Sequence, residues 1–225
     1  MPRTRSQGEG ERTQEHRGLR NRVGPVAGHV RIGPHAGRPD GRVGAVARIA
    51  VVGPSGAGKS TVARALAASL DVAYLELDGL FHQAGWTELD PWEFRRRVDA
   101  FVSADAWVVD GNYARSRDLV MSRADTVLWL RVSRWLVMRQ IVWRTAGRVL
   151  LRRELWNGNR ESLRDVLSRD PERSIVTWAW RMHGTYDDEY GALLSTAPIS
   201  QRWIVLENRR QVHSFLNELP QLRAA

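Results

Sequence analysis

Cysteine is absent from this chain of 225 residues. Its absence excludes a disulfide-stapled domain and any thiolate metal site, and it suits a reducing, cytoplasmic setting. No aromatic residue precedes Tyr74 and no tryptophan precedes Trp86, although ten tryptophans lie from there on. Long hydrophobic runs are missing too. No stretch approaches the ~20 consecutive apolar residues that a membrane span requires. The opening MPRTRSQGEGERTQEHRGLR has no apolar run that would serve as a secretory signal. The chain therefore reads as a soluble protein. Lysine is nearly absent: of 34 basic residues only one, Lys59, is lysine.

What is present divides in two. Residues 1–47 are rich in Gly, Arg and Pro, with isolated valines that match neither helical nor strand periodicity. Nine arginines against Glu9, Glu11, Glu15 and Asp40 give this tail +5 of the chain's formal +9. Such a segment buries too little apolar surface to offset its conformational entropy, and it reads as a disordered basic tail. Either it contacts an anionic surface such as nucleic acid, or it has no function; both readings stay open. The remainder, 48–225, is only mildly basic, so charge alone does not make it a nucleic-acid-binding domain. With 43% hydrophobic residues the chain can fill one sizeable core.

From Arg48 the pattern alternates between short apolar runs and helical periodicity. RIAVVG predicts a buried strand, followed by glycines and the helical TVARALAASL. Further strands are expected at 73–77, 106–110, 126–132 and 202–207. Helices are expected from Asp90, at about 115–122, 133–153 and 171–194, and at the end. Asp90 is the expected N-cap, Pro91 the first helical residue and Glu93 the capping-box partner. Five apolar strands alternating with helices predict an α/β fold, a parallel sheet covered by helices on both faces, with a helical insertion between the fourth and fifth strands.

The lone lysine sits in Gly53-Pro54-Ser55-Gly56-Ala57-Gly58-Lys59-Ser60-Thr61, which matches the phosphate-loop pattern G-x-x-x-x-G-K-[ST] without a departure. Backbone N–H groups freed of side-chain bulk by glycine wrap phosphates, and the helix that follows directs its positive end at them. Lys59 is a compact mobile charge for the β- and γ-phosphates, where a planar guanidinium is bulkier. Ser60 offers a hydroxyl to Mg²⁺. The pattern thus predicts binding of ATP with Mg²⁺.

The other candidates are less specific. Asp110 ends the expected third strand in WVVDGNY, at the carboxyl edge where ligands of parallel sheets lie. It is either an acid associated with Mg²⁺, directly or through water, or an Asp-Gly turn. Asp78 is taken to end the second strand, either orienting or deprotonating an acceptor hydroxyl or simply making a turn. His82, Trp86 and Trp92 lie just beyond, as candidates for an acceptor pocket or as structural residues. Arg144, Arg148 and Arg152 share a helix face, with Arg139 and Arg153 on the other side. Arg152 and Arg160 are the candidates for closing over the triphosphate from a lid at about 153–165, in which Asn157-Gly158-Asn159 reads as a turn. The six histidines are scattered, so they compose no metal site.

Together GPSGAGKST, LELDGLFHQAGW, WVVDGNY, ADTVLWLRVSR and ELWNGNRES resemble the small P-loop kinases known as adenylate kinase-related or "DNA topology modulation" proteins. The resemblance runs from about Arg48 to Ala192. It implies a P-loop NTPase fold with sheet order 2-3-1-4-5 and a short lid between the fourth and fifth strands. It also implies that Gly58, Lys59, Ser60 and Thr61 bind ATP and Mg²⁺ and that Asp110 holds the acidic position after the third strand. Adenylate kinases carry DGFPR where this chain has DGNYARSR, so AMP is not implied as the acceptor. Two functions are expected from these residues: a kinase transferring the γ-phosphoryl group of ATP to a small acceptor, such as a nucleotide, or a regulatory ATP-binding protein acting on DNA through its basic tail or its lid.

Overall fold

The computed structural model describes residues 47–150, 154–159 and 174–222. Nearly all of the tail 1–47, and the lid candidates Arg152 and Arg160, lie outside the described residues.

Five strands form one sheet: β1 (Arg48–Val52), β2 (Ala73–Glu76), β3 (Trp107–Asp110), β4 (Thr126–Leu130) and β5 (Arg202–Leu206), ordered β2-β3-β1-β4-β5. Every neighbouring pair is parallel. The connections carry helices α1 (Lys59–Leu70), α2 (Leu77–Phe81), α3 (Pro91–Val102), α4 (Arg117–Arg123), α5 (Arg134–Leu150) and α6 (Ile175–Ser195), and α7 (Arg209–Leu222) follows β5. This is the P-loop NTPase architecture.

Alternation along each strand splits the core into two layers, because successive side chains leave a strand on opposite faces. Ile49 and Val51 of β1 join Val62, Leu66, Val137, Ile141 and Leu219, beneath α1, α5 and α7. Ala50 and Val52 join Phe94, Val98, Trp107, Val120, Tyr186 and Tyr190, beneath α3, α4 and α6. A sheet covered on both faces reads as near-continuous apolar runs, which is why RIAVV and TVLWL show no polar alternation.

The N-cap of α3 is as expected: Asp90 Oδ1 accepts from the N–H groups of Trp92 and Glu93 at 3.0 and 2.9 Å, with Pro91 in the first turn. The capping box is not completed. The Glu93 carboxylate is taken instead by Arg96 and Arg97, one and about one turn on, which hold its pKa down at about 2.

The end of β2 also differs from the expectation. The strand stops at Glu76, and Leu77–Phe81 turn into α2, so Asp78 lies in a helical first turn rather than at a strand end. Leu77, Leu80 and Phe81 are spaced i, i+3, i+4 and all bury, which a helix permits and a strand does not. Leu77 closes onto Gly111, where an added Cβ would come within 2.7 Å of it. Smaller shifts follow the usual fraying of element ends. The helix expected at 115–122 opens as a 3₁₀ turn at Ala114–Ser116, and the one expected from 171 starts at Ile175 behind Ser174, whose Oγ accepts from the Thr177 N–H.

Candidate functional site

The registers of the parallel strands bring Val51, Glu76 and Asp110 into line at the carboxyl edge of the sheet. The glycine-rich loop crosses that edge between β1 and α1, and two of its glycines are required by space as well as by conformation. Gly53 has φ 137°, and a Cβ there would stand 2.5 Å from the Leu130 carbonyl oxygen; at Gly56, φ 83°, it would stand 2.6 Å from Ile141 Cγ1. Gly58, the N-cap of α1, supplies no side-chain cap. The first N–H groups of the helix are thus left to an anionic ligand, together with the positive end of its dipole.

Lys59 folds back on the loop, Nζ donating to the Pro54 carbonyl at 3.2 Å. Burial lowers its pKa, and the carboxylates of Asp78, Asp110 and Glu76 pull it back up. Arg144, on α5, is near enough to lower it as well. One lysine is therefore surrounded by three carboxylates, two of them buried.

Ser60 Oγ donates to Glu76 Oε1 at 3.1 Å, while Arg64 Nη2 holds Oε2 at 3.2 Å. Asp110 Oδ1 accepts from Tyr74 Oη at 3.2 Å, and its buried Oδ2 has no hydrogen-bond partner. Burial pushes the Asp110 carboxyl up to about 7, against the pull of Ser60 and Lys59. Glu76 belongs to this cluster, and no motif in the sequence marks it. Its signal was present: a carboxylate inside an otherwise apolar strand costs free energy unless something engages it.

The donor-set chemistry fits Mg²⁺, a hard cation that takes oxygen ligands and keeps several waters. Ser60 Oγ, the unsatisfied Asp110 oxygen and Glu76 would hold it, directly or through water. No group of three or more His, Cys, Asp or Glu that could hold a metal occurs among the described residues, so substrate phosphates would have to complete the shell.

Asn112, also missed, ties this region to its neighbour. Its Oδ1 accepts from the Gly53 N–H at 3.2 Å and from Tyr190 Oη at 3.1 Å, and its Nδ2 donates to the Gly53 carbonyl. The second residue after β3 thereby fixes the first glycine of the phosphate loop.

Beyond Lys59, on the β2 side, Asp78 Oδ1 accepts from Tyr113 Oη at 2.8 Å. Tyr113 packs on Phe81 and Phe94, and the His82 ring lies edge-on to Trp86 and stacked with Trp156, centroids 5.4 and 5.7 Å apart. Burial lowers the His82 pKa, which favours the neutral imidazole. Trp156 arrives on the Trp156–Gly158 turn, which is strapped down by amides. Asn157 Nδ2 donates to the His82 carbonyl, Asn159 Nδ2 donates to that of Gln83 at 2.8 Å, and the Trp86 N–H donates to Asn159 Oδ1 at 3.0 Å. Trp92 is not brought into this group: it is 70% exposed on the first turn of α3, with the Arg96 guanidinium 5.8 Å from its ring centroid.

A cavity of about 480 Å³ lies elsewhere, beside Arg48, Asp125, Pro198 and Trp203 at the opposite edge of the sheet. In parallel sheets ligands occupy the carboxyl edge, so the loop and carboxylate cluster define the candidate site.

Residues 49–126, from β1 to the first residue of β4, match the family model described as cytidylate kinase. No curated protein sequence matches the chain. Among solved structures the chain is similar to a shikimate kinase from Acinetobacter baumannii in complex with shikimate, at 21% identity and a TM-score of 0.47, covering 80% of this chain and 93% of that one. It is similar to a gluconokinase from Sinorhizobium meliloti 1021 at 17% identity and a TM-score of 0.46, covering 80% and 92%. A deoxyadenosine kinase from M. mycoides matches at 14% identity and a TM-score of 0.40, covering 77% and 98%. At these scores the likenesses say nothing about the chemistry of this chain. No helix among the described residues is long and apolar enough to cross a membrane.

Proposed function

We propose that residues 48–225 form an ATP-dependent kinase domain that transfers the γ-phosphoryl group to the hydroxyl of a small acceptor. The observation that carries this reading is the convergence of Lys59, Ser60, Glu76, Asp110 and Asp78 on one sheet edge, next to a loop shaped for phosphates. The N–H groups of Gly56, Gly58, Lys59 and Ser60, together with the Lys59 ammonium, hold the triphosphate. Mg²⁺, when bound, would offset the charge that develops on the transferring group. Ser60, Asp110 and Glu76 are the residues that would hold it.

Asp78 serves as the acceptor's base. Tyr113 occupies Oδ1, which leaves Oδ2 to accept the hydroxyl proton. The acceptor oxygen then forms its bond to Pγ as the bond from Pγ to the β,γ-bridging oxygen breaks, and ADP departs with that electron pair. The lid, about 153–165, and the residues just before it supply charge over the transferring group in this reading, with Arg160 and Arg152 as the respective candidates and Arg144 beside Lys59. The reading in which the chain acts on DNA rests on the tail 1–47 and on family resemblance, and no described residue favours it.

The test is turnover of labelled ATP by the full chain against a panel of nucleosides, nucleotides, sugars and polyols. Lys59→Ala is expected to lower kcat by about 10²–10³, the usual loss when one preorganised electrostatic partner is removed. Its thermal unfolding should match the wild type, because the loop geometry rests on glycines. Equal turnover in wild type and variant would exclude this mechanism.

A further inference from the structure

The cavity beside Arg48 lies at the amino edge of the sheet, across from the phosphate loop, and the proposed reaction does not use it. Its volume of about 480 Å³ is within the range of sites for small organic molecules. Three parts of the chain line it: the start of β1 at Arg48, residues 121–125 between α4 and β4, and residues 193–203 between α6 and β5. Met121, Leu193, Pro198 and Trp203 give it an apolar wall. Gln201 fixes that wall. Its Nε2 donates to the carbonyls of Met121 and Ala124 at 2.8 and 2.9 Å, and its Oε1 accepts from Trp203 Nε1 at 3.0 Å. A site tied together in this way is preformed, so a ligand need not order it on binding.

The two arginines of the lining are unequally satisfied. Arg123 Nη1 pairs with Asp99 Oδ1 at 2.8 Å. Arg48 Nε is buried without a hydrogen-bond partner. The Asp125 Oδ2 that stands 3.9 Å from it already accepts from the Arg48 backbone N–H at 2.8 Å. A guanidinium short of acceptors, beside an apolar wall, fits a carboxylate carried on a ring or hydrocarbon body. With two arginines against one aspartate in the lining, a single negative charge suits it better than a phosphate dianion.

The same wall continues to the phosphate loop. The Trp203 ring stands edge-on to Trp129, centroids 6.5 Å apart, and Trp129 packs on Tyr190 at 6.1 Å. Tyr190 Oη donates to Asn112 Oδ1, and Asn112 holds both backbone groups of Gly53. Leu193, in the cavity wall, follows Tyr190 by about one turn of α6. Trp129 and Tyr190 are buried, and a close-packed interior passes a displacement on because no void takes it up.

We propose that this cavity is a second binding site, for a small organic carboxylate, and that its occupancy alters nucleotide affinity through Trp203, Trp129, Tyr190 and Asn112. The proposal rests on nucleotide binding at the phosphate loop and not on phosphoryl transfer. The test uses the full chain with benzoate, its neutral counterpart benzamide, and inorganic phosphate. Binding is followed at the indole N–H resonance of Trp203, assigned with Trp203→Phe. Nucleotide affinity is measured by calorimetry with a non-hydrolysable ATP analogue and Mg²⁺.

Benzoate is expected to bind about tenfold more tightly than benzamide, the size of one charge-assisted hydrogen bond. Arg48→Gln should bring the two level, and Ser200→Trp, at an exposed position of the lining, should block both. Saturating benzoate should change the Kd of the ATP analogue by about fivefold or more, with the equal reciprocal change in benzoate affinity that linkage requires. Tyr190→Phe should remove this coupling and leave benzoate binding intact. Failure of benzoate to bind overturns the inference, including the case in which residues before Ala47 fill the cavity. So does equal binding of benzamide, displacement of benzoate by inorganic phosphate, an ATP affinity indifferent to benzoate, or coupling that survives in Tyr190→Phe. An analogue that fails to bind even without benzoate would remove the nucleotide reading as well, which tells the two failures apart.

Discussion

The two halves of the site are built differently. The donor half, Gly53–Thr61, is one continuous segment whose working parts are backbone N–H groups, a helix end and a single ammonium. The half proposed for the acceptor draws Asp78 and His82 from the stretch after β2, Tyr113 from the stretch after β3, and Trp156 and Asn159 from a turn more than seventy residues further along the chain than His82. A phosphate is much the same in every nucleotide, so a local backbone trap suffices for it. An acceptor has its own shape, and a wall fitted to shape is assembled from distant side chains. The general part of the site is therefore local, and the particular part is tertiary.

Substitutions can separate the halves. The largest effect is expected from Asp78→Asn, which should lower kcat by about 10²–10⁴, the range of a lost general base, while the affinity for ATP measured by calorimetry stays close to wild type. A parallel loss of ATP affinity would show that the halves are not separable at Asp78.

Next is the proton on Asp110. Its pKa stands at about 7 against an ordinary 3.8, so between those values the folded protein keeps a proton that the unfolded chain has released. Stability from this group is complete below about pH 4 and is lost as pH rises through 7, with a ceiling on the order of 4 kcal/mol for a shift of this size. The metal-free protein should therefore lose Tm between pH 5 and 8, and Asp110→Asn should flatten that slope and abolish turnover. An unchanged slope in the variant would assign the pH dependence to another group.

The smallest effect is expected where the halves are joined. Asn112→Ala removes the amide that bonds both backbone groups of Gly53 and receives Tyr190. Leaving those buried groups unpaired should cost about 1–3 kcal/mol of stability, read by denaturant unfolding, and should weaken ATP binding more than acceptor binding. Equal weakening of both would mean that Asn112 steadies the whole edge and not the donor loop.

Much of the fold was legible in sequence. Apolar runs such as RIAVV and TVLWL mark strands buried on both faces, and Asp90-Pro91 marks a helix start, because both signals depend on neighbours within a few residues. The phosphate loop was legible for the same reason, as a backbone path that admits little but glycine at positions 53 and 56. The capping box failed at Glu93, where arginines at i+3 and i+4 compete for the same carboxylate. Asp78 was misplaced because Leu75 and Leu77 fit a strand as well as a helix start, and only burial of Leu80 and Phe81 with Leu77 decides for the helix.

By itself the sequence determined the order of elements, the parallel sheet and the glycine-rich phosphate-loop motif, all set by local periodicity and local backbone freedom. Only the tertiary structure decided that Glu76 and Asp110 stand side by side at Ser60, that Asn112 clamps Gly53, and that Trp156 reaches His82. Strand register and a returning turn create those contacts, and neither is encoded within the few residues over which sequence periodicity acts.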